Sequence, residues 1–249
     1  RFMQPVATWA GALETKEQLV EKLEEHRISS LPVLDSSGEL LGLVRYEMLV
    51  AVAREDAVAD IQALFGVDRE ERALSPVRLS IRQRLPWLQI NLVTAFMAAA
   101  VVGVFETTIA QYTALAVLLP VVAGQSGNTG AQALAVVIRS LALHEVRVSQ
   151  WRLVLRKELG VGLANGLAVA ASAALAVFAW SRSADLTIII FLAMVLSVLM
   201  AGLAGAAIPL VLSRLGHDPA HSSSIILTTV TDIAGFFSFL GIATLLLTL

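Results

Sequence analysis

Apolar positions in this chain follow two different patterns, with the change near Pro86. Before it, apolar residues come in short runs: Leu19, Val20 and Leu23 fall at helical spacing between Thr15 and His26, and Thr15 and Gln18 have the spacing of a capping box. Leu31-Pro32-Val33-Leu34 and Leu40-Leu41-Gly42-Leu43-Val44 read as strands joined by the turn Asp35-Ser36-Ser37-Gly38. A helix from Tyr46 to about Ala53, a charged helix from Glu55 to Phe65 and a polar connector from Gly66 to Ser80 complete this part. Beyond it, a bilayer-spanning helix needs about 20 apolar residues, and five segments qualify. They run from Trp87 to Phe105, Thr113 to Leu143 (interrupted by the polar run Gln125 to Gln132), Leu159 to Trp180, Leu186 to Leu212 and Ser222 to Leu249. The expected fold is an all-α membrane domain of five transmembrane helices per subunit, preceded by a small α/β unit and a connecting helix. The expected boundaries are 1–54, 55–86 and 87–249.

Charge sharpens this division. Of the 38 Asp, Glu, Lys and Arg residues, 25 precede Trp87 and 13 lie in the longer remainder. Arg78, Arg82 and Arg84 stand before the first span, and Arg139, Arg147, Arg152, Arg156 and Lys157 cluster between the second and third. The loop from Glu106 to Gln111 has no Lys or Arg, and that after Trp180 has only Arg182. Positive charge marks the cytoplasmic side, so the amino-terminal unit is expected in the cytoplasm and the carboxyl end outside. A net charge of -2 argues against a nucleic-acid partner, which would require a basic face. Without cysteine there is no disulfide framework, thiolate metal site or Cys nucleophile. The amino end is polar, so no cleavable signal peptide is expected, and a start at Arg1 in mid-pattern is what a trimmed chain would show.

Asp232 is the strongest candidate for chemistry. Ten uncharged residues precede it and seventeen follow within the last span, and a carboxylate at that depth costs a few kcal/mol unless something receives it. No Lys or Arg lies deep in another span to pair with it, leaving a cation or a proton as its companion. Ser224, Thr228 and Asp232 recur every four residues, with Gly235 expected on nearly the same face. In the second span Pro120 frees the carbonyl of Ala116, while Gly124, Gly127 and Asn128 would let oxygens approach an ion. Such oxygens suit a hard divalent cation without naming which one, Mg²⁺, Mn²⁺, Co²⁺ or Ca²⁺.

The chain also resembles known families. Glu25 to Asp35 with Gly38 to Val44 looks like the second half of a cystathionine-β-synthase (CBS) domain. Leu119-Pro120-Val121-Val122-Ala123-Gly124-Gln125-Ser126-Gly127-Asn128-Thr129-Gly130-Ala131-Gln132-Ala133-Leu134, with Arg139 following, resembles the second-helix signature of MgtE-type magnesium channels. Arg84 to Trp87, Phe105-Glu106, Asp218 to Ala220, Thr228-Thr229 and Asp232 extend the likeness. The resemblance implies a homodimeric, cytoplasmically gated divalent-cation channel with five helices per subunit, lined by the second and fifth. Asp232 takes the place of the pore carboxylate, and Glu55 to Phe65 that of the plug helix that closes the pore when cytosolic Mg²⁺ is plentiful. Glu55, Asp56 and Asp60 are then candidates for regulatory cation sensing. Departures are Gln125 and Ser126 for the more usual Met and Gly, and Ser222-Ser223-Ser224 at the approach to the fifth helix. The family's amino-terminal helical domain and first CBS unit have no counterpart in this sequence. A lone CBS half supports a partner, while nucleotide binding by it stays open.

Other readings compete. Asp232 as a protonated acid, Gly124, Gly127 and Gly130 as packing residues, Asn128 as a cap for freed backbone groups, and Glu55, Asp56 and Asp60 as a solvated face all fit the same pattern. Gly162 and Gly166 read as packing, and His144, His217 and His221 as solvated segment ends rather than ligands. Gly124-Gln125-Ser126-Gly127 matches the short G-x-S-G string of rhomboid-type proteases, but no His lies inside a span to act as base. An intramembrane aspartyl protease would need a second deep Asp. An enzyme is not expected. The principal alternative is a proton- or sodium-coupled divalent-cation transporter, and a closed membrane interaction protein is a third class.

Overall fold

The computed structural model describes residues 8–68, 70–143, 145–219 and 223–247, without the side chains of 16, 17 and 53–61. It divides into two compact units, Arg1–Ile61 and Gln62–Leu249. His144 and His221 lie outside the described residues.

The first unit holds strand β1 (Ala10–Gly11), helix α1 (Lys16–Glu25), strands β2 (Ser30–Leu34) and β3 (Leu40–Arg45), and most of helix α2 (Tyr46–Leu64). The capping box forms: the Thr15 hydroxyl accepts from the Gln18 N–H at 3.4 Å, and the Thr15 N–H donates to Gln18 Oε1 at 2.9 Å. The β2–β3 hairpin pairs Val33 with Gly42, and Asp35 Oδ1 ties its turn by accepting from the backbone N–H groups of Ser37 and Glu39, each at 2.8 Å. Gly38 supplies the φ of 85° that the turn requires and that a Cβ would strain. Ala10, Leu23 and Leu31 close a small core with Leu19, Ile28, Val33 and Leu49 around them. Two features depart from the expected pattern. β1 pairs parallel to β2, and two residues are too few to show alternation. The helices expected on either side of Arg54 are the single helix α2, because nothing between them breaks it.

The second unit is helical: α3 (Val77–Val104), α4 (Glu106–Gln111), α5 (Ala114–Ala142), a 3₁₀ turn (Val148–Gln150), α6 (Trp151–Ser181), α7 (Ala184–Arg214) and α8 (Ser223–Leu247). Helix α7 is its centre, packing against α5, α6 and α8. Ile190, Met194 and Val198 of α7 meet Leu115 and Val122 of α5 and Phe239 and Leu240 of α8 in one fully or nearly fully buried cluster. Between helices in lipid, close contact of backbones replaces the hydrophobic drive. Gly162 and Gly166 supply it on α6, where an added Cβ would stand 3.3 Å from Leu199 Cα and 3.2 Å from the Val195 carbonyl oxygen. The packing role expected of this pair is what the structure gives. Hydroxyls join helices too, Ser197 to Ser238 in a buried pair at 3.0 Å and Thr108 to Thr244 in a partly buried one at 3.1 Å.

Among the described residues four helices are long and apolar enough to cross a membrane, namely α3, α6 (with the 3₁₀ turn), α7 and α8. Helix α5 has the length, 29 residues or about 43 Å at the usual rise, but its polar run leaves it no unbroken stretch as apolar as the ones in those four. That run does not interrupt the helix. The loop expected at Glu106 to Gln111 is α4, so little irregular chain is left at that end. Helices α3 and α6 begin well before the apolar stretches that mark them, since hydropathy dates a span and not the helix that carries it. Arg152, Arg156, Lys157 and Glu158 therefore stand on α6 rather than in a loop.

Candidate functional site

Helices α5 and α8 each have a locked face and a free one. On the locked side Gly130 of α5 is wedged against α8 and α7: a Cβ there would lie 3.0 Å from Leu227 Cδ1, 3.1 Å from Thr231 Cγ2 and 3.3 Å from the Ala201 carbonyl oxygen. One turn away, a Cβ on Gly235 of α8 would come within 3.3 Å of Ser126 Oγ and 3.6 Å of Val122. These contacts run the two helices antiparallel and place the backbone of Asp232 level with residues 126 to 130 of α5. Gly235, expected on the polar face with Asp232, is instead buried between the helices. The reason is the 3.6-residue turn, which carries a residue three positions on away from a stripe spaced by four.

The free side collects most of the candidates. On α5, Ala116, Pro120, Gly124 and Asn128 form an uncovered stripe spaced by four, and an added Cβ at Gly124 or Gly127 would meet nothing within 4 Å. The glycine series thus divides: Gly130 serves packing inside the protomer, and Gly124 and Gly127 do not. On α8, Thr228 is exposed and Ser224 and Asp232 are half-buried. Asp232 has neither a hydrogen bond nor an ion pair to another described residue. The hydroxyls of Thr228 and Ser224 donate to the carbonyls of Ser224 and Leu64 respectively, which leaves their oxygen lone pairs available to a cation.

Gly127, Ser224 and Thr228 also line a cavity of about 450 Å³ with Arg84, Trp87 and Asn91 of α3 and the Leu64–Val67 segment. Asp232, Asn128, Gly124 and Ala116 are not part of that lining. Its rim is tied down. Gly66, at φ 69°, lies against the Trp87 ring, where an added Cβ would be 3.0 Å from Cγ. Arg84 Nε donates to Glu71 Oε1 at 2.8 Å, and Gln62 Nε2 to the Glu71 carbonyl at 3.1 Å. Glu71 is buried, and the Arg84 guanidinium beside it holds its carboxyl below the usual carboxylate range. Asn91 and Glu71 were not singled out by sequence; the only available signal at Asn91 is an amide in an apolar span, which Gln89 two residues earlier shares. Glu158 was missed as well, a buried carboxylate on α6 paired with Lys157 at 2.6 Å. The side chains of Glu55, Asp56 and Asp60 lie outside the described residues. Among the described residues no group of three His, Asp or Glu is gathered as a metal site. Ser126 is fully buried, with its hydroxyl turned back to the Val122 carbonyl at 2.9 Å, so the G-x-S-G string presents no nucleophile.

A carboxylate without a partner among the described residues thus stands level with an amide and two open glycines of the neighbouring helix. In comparison with known proteins, residues 119–242 match the sequence model of MgtE, described as a divalent cation transporter. The chain belongs to the MgtE family. It is 34% identical over 249 residues to the magnesium transporter MgtE of Thermus thermophilus, covering 99% of this chain and 55% of that protein. The magnesium transporters MgtE of Enterococcus faecalis and Bacillus subtilis are 29% and 28% identical over 93% and 94% of this chain, and it covers 51% and 52% of their lengths. The chain spans about half the length of the curated relatives it matches. MgtE relatives are named as transporters and not as enzymes, and with the long apolar helices this makes the chain a multi-pass integral membrane protein.

Proposed function

We propose that this chain forms a homodimeric, cytoplasmically gated channel for Mg²⁺ and related divalent cations, with five spans per subunit once α5 is counted with the other four. The observation that carries the reading is Asp232, half-buried on a membrane helix without a partner among the described residues. A dication shared with the symmetry-related Asp232 would balance both carboxylates where neither could stay charged alone. The uncovered stripe Ala116, Pro120, Gly124 and Asn128 supports a second copy across the axis, since an amide facing lipid costs free energy that a wet lumen avoids. Carbonyl, amide and hydroxyl oxygens of Ala116, Gly124, Gly127, Asn128, Ser224 and Thr228 then stand in for part of the ion's hydration shell. Residues 1–54 are the CBS-like cytoplasmic unit, 55–86 the connector and 87–249 the pore domain, with the carboxyl end outside. Glu55, Asp56 and Asp60 contribute to a like-charged surface that cytosolic Mg²⁺ screens, which favours closure.

The test is Mg²⁺ flux into liposomes driven by its own gradient, with no proton or sodium gradient. Asp232→Asn keeps the shape and removes the charge, so flux should fall about ten- to hundredfold, the worth of a charged contact, and Asp232→Ala should do the same. Undiminished flux in Asp232→Asn, or flux that appears only with a counter-ion gradient, overturns the proposal.

A further inference from the structure

The end of the bundle where α6 begins and α7 finishes carries a further cavity, whose lining includes none of the α5 and α8 candidates. Val148, Trp151 and Leu155 on one side and Ala207, Leu210, Val211 and Arg214 on the other enclose an apolar cavity of about 230 Å³ that opens at the surface. Arg214 is its single charged lining residue, and it is exposed. Trp151 carries the Arg152 guanidinium 5.2 Å from its ring centroid, and Arg156 follows one turn later, also exposed. None of Arg152, Arg156 and Arg214 pairs with a carboxylate among the described residues. A contrast stands on the other flank of the same helix. There a cavity of about 340 Å³ is lined by Lys157 and Glu158, and those two neutralise one another.

We propose that the α6–α7 cavity seats one anionic phospholipid, its phosphate on Arg214 and Arg152 and the upper part of an acyl chain between Trp151 and Val211. Charge complementarity selects this occupant. An apolar trough alone takes any lipid tail, but three unpaired guanidinium groups at the level where spanning helices end favour an anionic headgroup over a zwitterionic one. Trp151 suits the same depth, since indole rings prefer the boundary between headgroups and acyl chains. Under the orientation proposed above the site faces the cytoplasmic leaflet, but the binding argument does not depend on it.

The experiment is native mass spectrometry of the full chain released from nanodiscs that contain equal phosphatidylglycerol and phosphatidylcholine. One phosphatidylglycerol per chain should persist. Arg214→Gln should lower its occupancy about tenfold or more, as loss of a charge-assisted contact does. Val211→Trp fills the trough, keeps every cation, and should expel the lipid equally. Arg139→Gln, at a residue outside the cavity lining, should leave it in place, and melting curves of each variant establish that it is folded. Equal retention of phosphatidylcholine, or the same modest loss from Arg139→Gln as from Arg214→Gln, would reduce the site to diffuse surface attraction and overturn the proposal. Displacement by excess inorganic phosphate would make it a soluble-anion site and overturn it as well.

Discussion

Two glycine-to-alanine changes in the same bundle should act in opposite directions. Gly205 of α7 faces α5 so closely that an added Cβ would overlap the Gly130 carbonyl oxygen and lie 2.9 Å from Ala133 Cβ. Gly130 has little room to adjust, because Leu227 and Thr231 of α8 and the Ala201 carbonyl of α7 already crowd its α-carbon. Overpacking of this kind costs about 1–3 kcal/mol, and contact with backbone belongs at the upper end. Alanine recovers about 1 kcal/mol of helix propensity. The net loss for Gly205→Ala is then about 2 kcal/mol, roughly thirtyfold in the folding equilibrium. Gly124→Ala meets nothing within 4 Å of the new methyl inside the protomer. It keeps the propensity gain of about 1 kcal/mol, while its methyl intrudes on the proposed lumen and lowers flux. Reversible unfolding in mixed detergent micelles, followed by tryptophan fluorescence, measures both variants. A Gly205→Ala protein as stable as Gly124→Ala would refute the account of α5 as clamped on one face and open on the other.

Other outcomes follow from single contacts. A double-mutant cycle on Ser197→Ala and Ser238→Ala should return a coupling of about 0.6 kcal/mol, typical of buried hydroxyl pairs between membrane helices, and zero coupling would reject the 3.0 Å bond. Glu71→Gln should be destabilising at neutral pH. Because the Glu71 carboxyl is depressed in the folded chain, its contribution is complete above the ordinary glutamate range and is lost as pH falls through the lowered value. Melting temperatures of parent and Glu71→Gln should therefore converge in acid, and a gap that widens there would contradict the Arg84 pairing. Gly66→Ala should lower the melting temperature, since it forces a side chain to φ 69° against Trp87; an unchanged value would argue against that contact.

Much of this protein is legible without a fold. Hydropathy over about 20 residues places the spans, because lipid tolerates only backbone that bonds to itself, and charge segregation separates the amino-terminal unit. Asp232 stands out for the same reason, as a charge with no water in its sequence surroundings. The period of four also brings out Ser224, Thr228 and Asp232 as one stripe. Sequence does not say which neighbour each face meets. Gly124, Gly127 and Gly130 look alike in the chain, yet one is jammed between helices and two are open, because one turn of helix decides whether α7 and α8 lie behind them. Gly235 joined the stripe by spacing and left it by packing. Glu71 and Arg84, 13 positions apart, become a pair, with the carboxylate buried and the guanidinium exposed, only when the connector folds back onto α3. Local pattern fixes what each segment can be, and the side on which its neighbours stand decides which of its residues remain free to act.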